Sequence, residues 1–250
     1  MLAWSYLYYV LFLPLFKFDM NRLPVLFILL GVLFGQARIG EWLAYTAPLH
    51  INDITGFEQQ AVCATNGGLL IYDQDEDTFN TLTVIDNLAG TGINVVEIGQ
   101  YGHLWLGGVS PNGFVQVYDL KKQNSIAEFD FGLTEIIDIS ITDSIGFVAF
   151  LENQDWGLME FIYRDENWIY RDVYRNWPTD FESINAIEVW DDDVMVATEQ
   201  GLFVGDWRGS NLKDPTSWGQ PYTALTGNIS SLHANGSNLL LVHERNVYQL

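Results

Sequence analysis

Ile51-Asn52-Asp53-Ile54, Ile93-Asn94-Val95-Val96, Ile136-Ile137-Asp138-Ile139, Ile184-Asn185-Ala186-Ile187 and Ile229-Ser230-Ser231-Leu232 are five copies of one short apolar motif, starting 42, 43, 48 and 45 residues apart. Ten residues after each start a second apolar run begins, at Ala61, His103, Gly146, Val194 and Leu239. A third run follows Gly68, Gly113, Gly157, Gly201 and Asn246. Gly and Asn tolerate the positive φ of a tight turn between antiparallel strands. Strand units recurring at about 45 residues are the pattern of propeller blades. The expected fold is therefore all-β, a β-propeller of four-stranded antiparallel blades with about five blades present. The innermost strands are short and apolar because no blade can bury its faces alone.

Motif start and turn residue are 17 apart in copies one, four and five, but 20 and 21 apart in copies two and three. The extra residues, around Ser110-Pro111-Asn112 and Asn153-Gln154-Asp155-Trp156, read as longer surface loops. A fourth, outer strand is expected near Phe79 to Val84, Ile126 to Phe131, Trp168 to Val173 and Trp218 to Thr223. Before the first motif, Trp42-Leu43-Ala44-Tyr45-Thr46 looks like Trp218 to Thr223, as an orphan outer strand that completes the last blade would. Propellers built of such blades mostly have roughly six to eight of them, so a fragment of a larger propeller is expected. A closed five-bladed ring is the alternative.

Residues 20–37 have the form of a secretory signal: a basic start at Met20-Asn21-Arg22, an apolar stretch from Leu23 to Phe34, and the small-residue site Gly35-Gln36-Ala37. The mature chain would begin at Arg38, giving one propeller domain over 38–250. Residues 1–19 read as a spurious upstream extension, because Lys17, Asp19 and Arg22 interrupt two apolar blocks each shorter than about 20 residues. The rival reading is an uncleaved anchor formed by the first 37 residues. Finding Arg38 at the N-terminus of exported material would exclude the anchor. The membrane enters only through this segment.

The chain carries 11 basic and 32 acidic residues, a net charge of −21. Removing residues 1–37 takes away Lys17, Arg22 and Asp19 and leaves 9 against 31, or −22. Such a surface repels nucleic acid and anionic membranes, so neither is expected as a partner. Cys63 is the single cysteine, so no internal disulfide forms, and its place in a second strand makes it a small core residue. Export without disulfides fits the envelope of a Gram-negative bacterium, in the periplasm or at the outer-membrane surface.

No residue is assigned to catalysis, to a cofactor or to a metal. Asp73-Gln74-Asp75-Glu76-Asp77 opens like a calcium loop, yet Thr78 stands where the sharp-turn Gly belongs and Val84 where the bidentate Glu belongs. It reads as a solvated turn, as does Asp191-Asp192-Asp193. His50, His103, His233 and His243 show no metal-ligand spacing, and His103 and His243 fall at the ends of second strands. There is no G-x-S-x-G elbow, and Gly67-Gly68 and Gly107-Gly108 open no helix that would cradle a phosphate. Trp42, Trp105 and Trp218 sit at repeat positions and read as blade packing. Trp156 and Trp177, placed in loops, are the better candidates for a recognition surface.

The run from Trp42 to Asp73, and the second copy from Ile184 to Phe203, resemble the repeat of two-component-regulator-type propellers. A signal peptide followed at once by Gly40-Glu41-Trp42-Leu43-Ala44-Tyr45 resembles the N-terminal propeller of the PorZ family within the type IX secretion system. The likeness covers residues 38–250. It implies an exported, non-catalytic binding or scaffold module, with a surface sortase as protein partner and an anionic lipopolysaccharide as glycan. The chain's acidity sits uneasily with that glycan. The alternative implied by the same repeat is the periplasmic ligand-sensing propeller of a hybrid histidine kinase. An enzymatic propeller would need carboxylates clustered at the axial mouth, which the sequence does not place there.

Overall fold

The computed structural model describes residues 46–99, 102–222 and 225–250. The expectations for residues 1–19, the signal at 20–37 and the orphan strand beginning at Trp42 lie outside the described residues. Five antiparallel sheets follow one another. Blade one holds β1 (Ile51–Phe57), β2 (Gln60–Thr65), β3 (Gly68–Asp73) and β4 (Thr78–Leu82). Blade two holds β5 (Gly92–Ile98), β6 (His103–Ser110), β7 (Gly113–Asp119) and β8 (Asn124–Leu133). Blade three holds β9 (Glu135–Ile141), β10 (Ile145–Glu152), β11 (Asp155–Arg164) and β12 (Asn167–Tyr174). Blade four holds β13 (Ile184–Trp190), β14 (Asp193–Thr198), β15 (Gly201–Asp206) and the short β16 (Trp218–Gly219). Blade five holds β17 (Ile229–Asn235), β18 (Asn238–His243) and β19 (Asn246–Gln249). The only helical pieces among the described residues are 3₁₀ turns at Val84–Asp86 and Pro215–Ser217.

The core lies between blades rather than within them. Four buried clusters form, each drawing on two successive blades. Along β6, Leu104 and Leu106 join the cluster shared with blade one, while Trp105 between them joins the cluster shared with blade three. Along β10, Phe147 and Ala149 face blade four, and Val148 and Phe150 face blade two. A strand covered on both faces has no polar side to present, which is why these runs are continuously apolar rather than alternating. Cys63 belongs to this buried set, and burial raises its thiol. Ile51 and Ile54 on β1 remain 57% and 60% exposed, and Val247 on β19 is 71% exposed.

The extra residues of copies two and three lengthen strands instead of loops. β6 and β10 run for eight residues against six in β2, and Trp156 lies inside β11. The turn glycines also divide by role. Gly68 and Gly201 adopt φ of 116° and 133°, whereas a Cβ on Gly157 would meet Phe150 Cζ at 2.5 Å. In blade five the left-handed residues are Glu244 and Arg245, ahead of Asn246. Two outer strands end earlier than the apolar pattern suggests. After β4, Thr83 Oγ1 accepts from Ile85 N and the Asp86 carboxylate accepts from Thr83 N, a capping box that stops the strand. β16 stops ahead of Pro221, which has no N–H for a ladder.

Gly107 and Gly108 lie within β6. A Cβ on Gly108 would fall 2.0 Å from Phe114 Cε1, and one on Gly107 would fall 2.4 Å from Ile136 Cγ2. The pair lets neighbouring side chains close over the strand. Gly108→Ala is expected to cost about 1–3 kcal/mol through overpacking. A lowered urea midpoint at constant slope would record that loss, and an unchanged midpoint would show that Phe114 yields freely.

Candidate functional site

Two concave regions bring polar side chains together: the axial channel and a cleft on the rim between blades three and four. The channel, about 620 Å³, is walled by the five inner strands. In every blade the ladder between first and second strands shifts register across the second motif residue, at Asn52, Asn94, Ile137, Asn185 and Ser230. Such a bulge re-aims the side chain it carries. Asn52 Nδ2 donates to Ile93 O at 2.8 Å, Asn94 Nδ2 to Ile136 O at 3.3 Å, and Asn185 Nδ2 to Ile229 O at 2.8 Å. Each asparagine therefore reaches the first motif carbonyl of the next blade.

The third motif position supplies a second latch. Asp53 accepts from its neighbour Ile54 N at 2.8 Å and from Val96 N of blade two at 2.9 Å. Asp138 accepts from Ile139 N at 2.9 Å and from Ile187 N of blade four at 2.7 Å. Blade three has Ile137 where its neighbours have asparagine, and there Ser140 Oγ adds a bond from Val189 N at 2.9 Å. Every described junction between successive blades is thus tied by a side chain from the inner strand.

The fifth position lines the channel with Glu97, Glu188 and His233. Burial pushes Glu97 up to about 7, with repulsion from Asp138 and Asp53 adding to it. Burial pushes Asp138 up to about 7 against the pull of its two N–H donors. Glu188 is carried to about 8 by burial, then by Asp138 and Glu97, against a bond from Ala234 N. The axis therefore gathers the clustered carboxylates that the sequence did not place. Reading each motif one alternate residue further would have found Glu97 and Glu188, and would have placed His233, already named in the sequence, beside them. Among the described residues no set of three or more His, Cys, Asp or Glu is arranged to hold a metal ion.

The rim cleft, about 780 Å³, joins the two tryptophans singled out in the sequence. Trp156 comes from β11 and Trp177 from the segment after β12. Trp177 Nε1 donates to Trp156 O at 3.1 Å. Its ring lies 4.8 Å from Trp218 and 5.1 Å from Phe181, centroid to centroid. Around this aromatic floor stand exposed Gln154, Asp155, Arg175, Asn176, Thr179 and Asp180. Arg175 is held by Glu152 at 2.5 Å and lies 4.8 Å over the Phe150 ring.

The other sequence candidates do not meet at either place. In the turn from Asp73 to Asp77, Asp73 Oδ1 accepts from Asp75 N and Glu76 N, and Asp77 accepts from Tyr72 OH. Asp191 and Asp192 form the β13–β14 turn. His103 opens β6, and His243 closes β18 with its Nε2 3.0 Å from Thr226 O. Trp105 and Trp218 are buried between blades, and Trp42 lies outside the described residues.

No protein-family model matches the chain, and no curated protein matches it. Solved structures do. PorZ, described as an essential bacterial surface component of the type IX secretion system of Porphyromonas gingivalis, superposes with a TM-score of 0.65 at 16% identity, over 84% of this chain and 28% of that one. The extracellular domain assigned to a one-component system from B. thetaiotaomicron gives 0.57 at 13%, over 84% and 28%. The Cps50 (Swd1) propeller domain of Myceliophteria thermophila gives 0.59 at 15%, over 80% and 66%. The chain thus spans little more than a quarter of the two bacterial proteins, and at these identities the likeness establishes one thing, the β-propeller fold.

Proposed function

We propose that this chain is the binding propeller of an exported bacterial surface protein and that it acts by holding partners rather than transforming them. The observation that supports this reading is how its polar side chains are used. The asparagines and aspartates of the axis are engaged in tying blade to blade, whereas the rim offers a rigid aromatic floor with exposed polar groups. The finer reading is a role like that of PorZ, at the cell surface, with a sortase as protein partner and presentation of an anionic lipopolysaccharide. The test is fractionation of the source bacterium, N-terminal sequencing, and cross-linking of intact cells followed by co-isolation. The expected result is a surface protein beginning at Arg38 that brings a sortase with it. Recovery from the cytosol would overturn the reading, and co-isolation with a histidine kinase would favour the sensor propeller instead.

One observation favours a second class. Glu97, Asp138 and Glu188 line the axis with acid constants near neutrality, and groups so poised are suited to general acid–base work. Against it, Asp53 and Asp138 each give both oxygens to backbone N–H groups. Release of reducing ends from a polysaccharide, lost in Glu188→Gln, would establish hydrolysis and end the non-catalytic reading.

A further inference from the structure

The rim cleft has a fixed floor. Trp177 is clamped by its hydrogen bond to Trp156 O at 3.1 Å and by ring contacts with Trp218 and Phe181 at 4.8 and 5.1 Å. Phe181 in turn packs 5.9 Å from Phe203. An aromatic surface held this way loses little side-chain freedom when a ligand covers it. Above it the available groups are rich in acceptors. Asp155 and Asp180 bring carboxylates, and Asn176, whose Nδ2 donates to Lys213 O at 3.0 Å, keeps its carboxamide oxygen.

We propose that this cleft binds an uncharged oligosaccharide, the apolar C–H face of a sugar ring lying on the Trp177–Trp156 floor and its hydroxyls donating to Asp155, Asp180 and Asn176. The inference rests on the binding reading above and names the site and the ligand. A sugar ring combines a flat apolar face with a rim of O–H donors, and the cleft is the complement of that pattern. The cleft volume of 780 Å³ also falls in the range of roughly 300–1,000 Å³ usual for ligand pockets. An anionic glycan fits this cleft poorly: its Arg175 guanidinium is already held by Glu152 at 2.5 Å, and Asp155 and Asp180 stand beside it. A proline-rich peptide fits less well, because it brings backbone carbonyls in need of donors and the Trp177 indole N–H is already committed.

The full chain would be applied to an array of neutral hexose, pentose and N-acetylhexosamine oligomers, alongside anionic polysaccharides and a polyproline peptide. Hits would then be titrated by tryptophan fluorescence. Binding of a neutral oligomer is expected, weakened about tenfold or more in Asp180→Ala and in Asp155→Ala, both exposed positions whose loss leaves the fold intact. Trp177→Ala is expected to abolish it. Because Trp177 also packs on Trp218, its melting curve is compared with the parent, and the two aspartate variants decide the matter should it unfold. Failure of every neutral oligomer to bind, equal affinity in the aspartate variants, or preference for the anionic or polyproline probe would overturn the proposal. Co-isolation of a sortase in any of those cases would leave the binding reading standing and remove only the sugar.

Discussion

The propeller is expected to melt at a higher temperature at pH 5 than at pH 8, the reverse of ordinary acid destabilisation. The cause is the group of carboxyls around the axis. In the unfolded chain such groups titrate near 4, whereas in the fold Glu97 and Asp138 are held up at about 7 and Glu188 at about 8. Between roughly pH 4 and pH 8 the folded state therefore keeps protons that the unfolded chain releases. Stability falls as pH rises through that window, and above it the full penalty of three buried charges remains. Each tenfold gap between folded and unfolded acid constants is worth about 1.4 kcal/mol. Counting only one tenfold step of the interval above pH 5 at each of the three sites gives about 4 kcal/mol between pH 5 and pH 8, which for a chain of this length is roughly 10 °C. Calorimetry at the two pH values reads it directly. The double variant Glu97→Gln, Glu188→Gln should raise the pH 8 melting temperature toward the pH 5 value, which itself should barely move. A parent protein that melts no lower at pH 8 than at pH 5 would sink the assignment.

The same residues explain how far the sequence could be read. The motif starts were visible because four of the five, Ile93, Ile136, Ile184 and Ile229, are isoleucines buried against a neighbouring blade, and the second runs because two buried faces require continuous apolar residues. What the asparagines at 52, 94 and 185 do was not visible, although they stood inside the quoted motifs. Their role depends on a bulge, and a one-residue register shift leaves no mark in hydrophobic periodicity. Glu97, Glu188 and His233 come from three blades, so their convergence is a property of the radial arrangement of the blades and of no local stretch. Trp156 and Trp177 were legible as candidates but not as neighbours. The 20 residues between them hold a whole outer strand, and only the return of β12 beside β11 brings the two tryptophans to one cleft. Longer strands in blades two and three were mistaken for longer loops because an insertion within a hairpin can extend either, and Asp155 and Trp156 sit equally well in both.

A second large effect is expected where blade three buries a charge. Glu160 on β11 is 2% exposed, and Arg171 Nη1 on β12 reaches its Oε1 at 2.7 Å, while Tyr174 OH donates to Oε2. Burial first, and then the bond to Glu160, hold the Tyr174 phenol protonated well beyond its usual range. A carboxylate taken out of water in this way depends on both partners, because its own hydration is gone. Arg171→Met keeps most of the side-chain volume and removes the cation, and breaking a buried pair from one side costs about 3–5 kcal/mol. Since the Arg171 side chain is itself 55% exposed and screened by solvent, the lower end of that range is expected, about 3 kcal/mol. Tyr174→Phe removes one neutral donor and should cost about 1–3 kcal/mol. The decisive comparison is the double variant Glu160→Leu, Arg171→Met. If the loss in the single variant comes from a stranded charge rather than from lost packing, deleting both partners should recover most of it, leaving the roughly 1–3 kcal/mol cost of the Tyr174 hydroxyl that loses its acceptor. Urea unfolding of the parent, Glu160→Leu, Arg171→Met and the double variant closes the cycle. A double variant as unstable as Arg171→Met alone would mean that the pair holds β11 to β12 by shape rather than by charge.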